Sequence, residues 1–113
     1  MQIRELNLKE LYIAYDLVSQ SYMDMSYQEF EDLIYDMRFM EYKMLGVFEG
    51  EGIKAYAGVC VQTTLKEGRH LRVFDLVIDK YDDIKKYKKI MLKYLDDYAK
   101  IAMCDRIIYR NTF

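Results

Sequence analysis

Residues 70–109 constrain the fold of this chain more than any other stretch. They read as an apolar strand, HLRVFDLVID, an acidic turn, KYDD, a long helix, IKKYKKIMLKYLDDYAKIAMC, and a second strand, RIIY. A helix between two such strands carries the chain back across a sheet, so the strands lie parallel in a βαβ unit. The turn before the helix is where such units bind anions, because free backbone N–H groups and the helix dipole converge there.

Upstream, residues 2–6 alternate as a first strand, and Asn7 with Glu10 has capping-box spacing at the start of a helix that should end near Ser21. Ser26 and Glu29 repeat that spacing before Phe30, Leu33, Ile34 and Met37, which recur on one helical face. Residues 42–49 and 53–65 read as strands around the turn Gly50-Glu51-Gly52, and the turn 66–69 leads into the strand that starts at His70. Gly58 inside its strand suggests a bulge or the close approach of another group. In the long helix, Ile84, Tyr87, Met91, Tyr94, Leu95, Tyr98 and Ala102 are expected to share the buried face. The order β-α-α-β-β-β-α-β predicts an α+β fold, a mixed and mostly antiparallel sheet flanked by helices.

The length of 113 residues suits a single domain, 1–113, with one modest core. The 17 Lys and Arg against 19 Asp and Glu leave a formal charge of −2, so a polyanionic partner such as nucleic acid is not expected. Lysines 85, 86, 88 and 89 read as a solvated face rather than as phosphate ligands. Cys60 and Cys104 lack ligand spacing and read as buried thiols, and a lone His gives a metal site no support. His70, at a strand start, is expected at the surface. The charged N-terminus, with no apolar core region, and the lack of any spanning apolar run predict a cytoplasmic protein without a membrane. Asp75, between Phe74 and Leu76, is the best candidate for a general base; the alternatives are a pair with Arg72 or a place at a bulge.

Three stretches, GVFEGEGIKAYAGVCV, FDLVIDKYDD and YKKIMLKYLDDYAKIAMCDRIIY, resemble the second to fifth strands and third helix of the GNAT superfamily, the acyl-CoA-dependent N-acetyltransferases. The resemblance extends to Gly58 and to Cys104 at the helix end. It implies an acetyl-CoA site formed by Val77, Ile78, Asp82, Asp83, Lys85, Lys86 and Tyr87, at the exit of the fourth strand. There the family carries [QR]-x-x-G-x-[GA]. In this chain Asp82 stands at the Arg or Gln position, and Lys85 and Tyr87 stand at the small-residue positions. Acidic and bulky groups oppose a pyrophosphate, whereas Asp82 or Asp83 suits a helix cap. Family members also continue past the fifth strand with further elements and a Tyr that protonates the departing thiolate. Here no residue follows Phe113, so an open sheet edge completed by a second copy is expected. The expectation is a GNAT-like binding or interaction protein, a homodimer or a partner of another protein, with a degenerate acyl-CoA site. The alternative is an N-acetyltransferase that uses acetyl-CoA and Asp75 as base.

Overall fold

The computed structural model describes residues 1–50 and 52–110. The elements follow the expected order: β1 (Gln2–Leu6), α1 (Leu11–Val18), α2 (Tyr27–Met37), β2 (Lys43–Glu49), β3 (Gly52–Thr64), β4 (Gly68–Ile78), α3 (Ile84–Ile101) and β5 (Arg106–Tyr109). The strands form one sheet in the order β1-β2-β3-β4-β5, antiparallel except for the parallel pair β4 and β5. Strand order thus equals chain order, and α3 supplies the crossover that a parallel pair requires.

Local chemistry sets the helix starts. Ser26 Oγ accepts from the Glu29 amide and Glu29 Oε1 accepts from the Ser26 amide, both at 3.1 Å, so α2 opens on a reciprocal cap. Asn7 and Glu10 cap a 3-10 turn, residues 8–10, that runs into α1, which is shorter than expected and ends at Val18. Glu10 also takes both terminal nitrogens of Arg4, at 2.9 and 2.7 Å. This pair ties β1 to the helix start and holds the Glu10 carboxyl below the usual carboxylate range.

The sheet buries both faces. On one, α1 and α2 pack on Leu6, Met44, Tyr56, Cys60 and Val77. On the other, α3 packs on Leu45, Val47, Val59, Leu71 and Val73. The buried stripe of α3 is Tyr87, Met91, Leu95 and Ala99, one residue every four, and each large member contributes roughly 1.5–3 kcal/mol of burial. Two expectations fail here. Ile84 is exposed, because it is the first helical residue and precedes the contact with the sheet. The helix also stops at Ile101 rather than Cys104.

The stop is a Schellman turn: the Cys104 amide donates to the Ala99 carbonyl at 2.9 Å and the Met103 amide donates to that of Lys100 at 3.1 Å. Met103 has φ 60° in this turn, where a side chain is costly. Met103 is exposed and its side chain contributes little packing. Met103→Gly is therefore expected to stabilise the protein by about 1 kcal/mol, read as a higher urea midpoint with unchanged m-value.

His70 is the main correction. It is fully buried, with Nδ1 against the Gly68 carbonyl at 2.9 Å, so that nitrogen carries the proton. It sits between Gln62 of β3 and Arg106 of β5, because β4 begins two residues earlier than the sequence suggests and β5 covers its outer edge. Cys60 is buried and burial pushes its thiol up to about 11, whereas Cys104 is only half-buried. No helix among the described residues is long and apolar enough to cross a membrane.

Candidate functional site

The site starts from a slip in strand register. Gly58 of β3 pairs with Asp75, but its neighbour Val59 pairs with Val73, so Phe74 is an extra residue in β4. Before it, Leu71 and Val73 face α3. After it, Leu76 and Ile78 face α3. The slip turns Asp75 to the opposite face, beneath α1 and α2. The ladder between β4 and β5 covers only His70–Val73, with one further bond from the Arg110 amide to the Val73 carbonyl. From the bulge onward β4 has no β5 partner among the described residues.

Asp75 is held by tyrosines. Tyr22 donates to Oδ1 at 2.6 Å and Tyr42 donates to Oδ2 at 2.6 Å. The Tyr42 and Tyr56 hydroxyls are 2.9 Å apart. Because the Tyr42 hydroxyl uses its hydrogen in the bond to Asp75, it accepts from the Tyr56 hydroxyl. Arg110 Nη2 donates to the Tyr22 hydroxyl at 3.2 Å. Every proton in this chain of groups points toward Asp75. Burial is the first cause that pushes Tyr22, Tyr42 and Tyr56 above the ordinary phenol value; the hydrogen bond to Asp75 comes next at Tyr22, and the neighbouring Tyr56 comes next at Tyr42. Gly58 makes the arrangement possible, since a Cβ there would lie 1.5 Å from the Tyr42 hydroxyl.

Above Asp75 lies a cavity of about 210 Å³. Its walls are Val18, Met25, Phe30, Leu33, Ile34 and Met37, and its polar groups are the network just described. A larger cleft of about 560 Å³ runs along α1, past Tyr12, Asp16 and Gln20. Its other charged groups are engaged: Arg4 with Glu10, and Asp79 with Gln20 and Lys54. The smaller cavity therefore holds the better candidate chemistry.

The start of α3 is occupied by the chain's own carboxylates. Asp83 is its N-cap and accepts from the Lys86 amide at 3.1 Å, while Asp82 accepts from the Asp83 amide at 2.7 Å. Lys54 pairs with Asp82 at 2.9 Å and stands 3.9 Å from Asp79. The hydrogen bond from Lys54 holds Asp82 below the usual carboxylate range. Lys86 and the buried Tyr87 both turn to Glu49, at 3.2 and 2.5 Å. Of the remaining residues expected at a cofactor, Val77 is buried in the core under α1 and α2, Ile78 is half-buried on the α3 side, and Lys85 is exposed. The seven therefore do not converge on one surface.

The overall fold is shared with solved structures. The chain superposes on a GNAT family acetyltransferase from Staphylococcus aureus with a TM-score of 0.79, covering 99% of this chain and 87% of that one at 18% identity. The chain has the GNAT fold. It matches glucosamine-6-phosphate N-acetyltransferase from Arabidopsis thaliana at TM-score 0.73 and 19% identity, over 98% of this chain and 82% of that one. It matches ribosomal-protein-alanine N-acetyltransferase from Brucella melitensis at TM-score 0.81 and 13% identity, over 97% and 80%. No protein-family model and no curated protein matches the sequence. On the GNAT fold of this chain, Asp75 stands at a bulge, one of its expected alternatives, and is not paired with Arg72, whose guanidinium lies over the Phe74 ring.

Sequence reasoning missed Tyr22, Tyr42 and Tyr56. Tyr22 and Tyr42 lie in two connecting segments and Tyr56 in β3, so no spacing rule joins them. One signal was present: the apolar alternation of β4 changes phase between Val73 and Leu76, which places an extra residue between them. Among the described residues no three His, Cys, Asp or Glu side chains cluster as metal ligands would.

Proposed function

We propose that this GNAT-fold chain acts as a cytoplasmic binding protein that takes a small ligand in the cavity at Asp75 and does not hold the CoA pyrophosphate in the usual place. The observation that carries this reading is the start of α3, where Asp82 and Asp83 already occupy backbone donors that a phosphate needs. Their negative charge repels a pyrophosphate, and Lys85 and Tyr87 fill positions where a close backbone approach requires small residues. These residues do not fit the group. Acetyl-CoA at millimolar concentration is therefore expected to leave the melting temperature unchanged. A ligand at a hundred times its Kd adds roughly 2.7 kcal/mol, so a clear rise, with shifted amide resonances over residues 80–90, overturns this reading.

A second reading, an N-acetyltransferase that uses acetyl-CoA with Asp75 as base, is supported by the placement of Asp75 at the β4 bulge beside a cavity. Acetyl-CoA binding together with loss of turnover, but not of binding, on Asp75→Ala would establish it. A further part of the binding proposal is a homodimer through the outer edge of β5, where the sheet order ends among the described residues. Sedimentation at micromolar concentration tests it, and a monomeric mass rejects the dimer.

A further inference from the structure

We infer that this chain stacks head to tail on copies of itself, the lysine face of α3 in one copy meeting the acidic face of α2 in the next. The inference uses neither the Asp75 cavity nor the outer edge of β5.

The sheet segregates the charges. Residues 24–41, around α2, hold six carboxylates, Asp24, Glu29, Glu31, Asp32, Asp36 and Glu41, against the single cation Arg38, a net of −5. Residues 84–101, the whole of α3, hold six lysines against Asp96 and Asp97, a net of +4, although the entire chain carries only −2. α2 packs on one face of the sheet and α3 on the other, so the two sets cannot meet within one molecule. Nor are they neutralised locally. Among the described residues, none of the six carboxylates around α2 has an ion pair, and neither do Lys85, Lys88 and Lys89.

The two faces also match in shape. On α3, Lys85, Lys88, Lys89 and Lys93 line a shallow groove over the half-buried Leu92, with Asp96 at its far end. On α2, Asp32 and Asp36 flank Leu33, which is 46% exposed. With the helices antiparallel and Leu33 over the Lys89 stem, Asp36 stands beside Lys85 and Asp32 beside Lys89. Asp96 then falls beside Ser26, the N-cap of α2, where the helix dipole favours an anion. The parallel direction would set Asp96 beside Glu41, a like charge. Charge thus selects the direction as well as the partner.

A second copy fits this face better than a nucleic acid or an anionic membrane. Asp82, Asp83, Asp96 and Asp97 interrupt the lysines, and the apolar side of α3 is already buried on the sheet. Because the two faces lie on opposite sides of the molecule, the contact is heterologous and does not close on itself. Two helix faces bury less than the roughly 1,600 Å² of a stable interface, so assembly needs high concentration and low salt.

The test is sedimentation of the full chain between about 0.05 and 1 mM protein, at about 20 and 500 mM salt. At low salt the average mass is expected to rise past two copies, and the association constant to fall at least about tenfold at high salt. Lys85→Glu with Lys89→Glu, and separately Asp32→Lys with Asp36→Lys, are each expected to abolish the rise, since both faces then carry one sign. The chain with all four changes keeps the net charge of −2 and is expected to stack like the unmodified chain. All four positions are exposed and none lines the Asp75 cavity, and urea midpoints check that each variant is folded. Failure of the fourfold variant to stack overturns the inference. So does assembly that stops at two copies and ignores salt and variants, which is the behaviour of pairing through β5. A chain that stays unassembled at 1 mM in low salt, yet pellets with vesicles containing about a third phosphatidylserine, assigns the lysine face to a membrane and also overturns it.

Discussion

Gly58→Ala is expected to lower stability by about 3 kcal/mol, a large effect for one methyl group. The added Cβ meets Tyr42 at 1.5 Å from its hydroxyl and 2.1 Å from Cζ. Tyr42 is only 8% exposed and cannot swing aside. Moving its ring also separates it from Asp75 and Tyr56, which leaves buried polar groups unpaired at about 1–3 kcal/mol each. The check is a urea unfolding curve for Gly58→Ala, Tyr42→Leu and the double variant. Tyr42→Leu makes room for the methyl, so the double variant should cost clearly less than the sum of the singles. Additive costs would show that the clash is not with Tyr42.

The second large effect is alkaline unfolding. Tyr42 and Tyr56 are neutral and buried, and burial raises both above the value of about 10 that they have when unfolded. A raised folded pKa means that the stabilisation is complete below pH 10. It is lost as pH rises further, because the unfolded chain releases protons that the folded chain keeps. Each tyrosine then removes about 1.4 kcal/mol per pH unit, so the pair removes about 2.7 kcal/mol per unit above pH 10. The loss at pH 11.5 is about 4 kcal/mol, a large share of the stability of a small protein. Tyr42→Phe should lower the slope above pH 10 by about 1.4 kcal/mol per pH unit, although it weakens the protein at neutral pH by leaving the Tyr56 hydroxyl without its acceptor. Unfolding monitored by tyrosinate absorbance gives the slope directly. An identical slope in Tyr42→Phe and the unmodified chain would assign alkaline unfolding to other groups.

Much of the fold was legible because its signals are local. Asn7 with Glu10, Ser26 with Glu29, and Asp83 before α3 each mark a helix start within a few residues. The meander from β2 to β4 is announced by its glycine turns and alternating strands. The buried stripe of α3 was legible in Tyr87, Met91 and Leu95, while Ile84 failed because periodicity does not reveal where a helix first meets the sheet. His70 failed for a related reason. Its burial comes from β3 and β5 on either side, which is a property of the sheet and not of the segment. The site was legible only at Asp75, as an anomaly in an apolar strand. Its partners Tyr22, Tyr42 and Tyr56 are brought together by long-range pairing, and a chain with 12 tyrosines offers no way to pick those three in advance.

The extra residue in β4 has a genetic consequence. In strict alternation after Leu71 and Val73, the carboxylate of Asp75 would turn toward Met91 and Leu95 of α3, where an unpaired charge is not tolerated. With Phe74 present, its place in the cavity depends on the bulge that takes up this one extra residue. A missense change at position 75 removes the carboxylate that the Tyr22 and Tyr42 hydroxyls hold. Loss of the Phe74 codon removes the extra residue, so Val73, Asp75 and Leu76 alternate without a bulge and the acid stays on the cavity side.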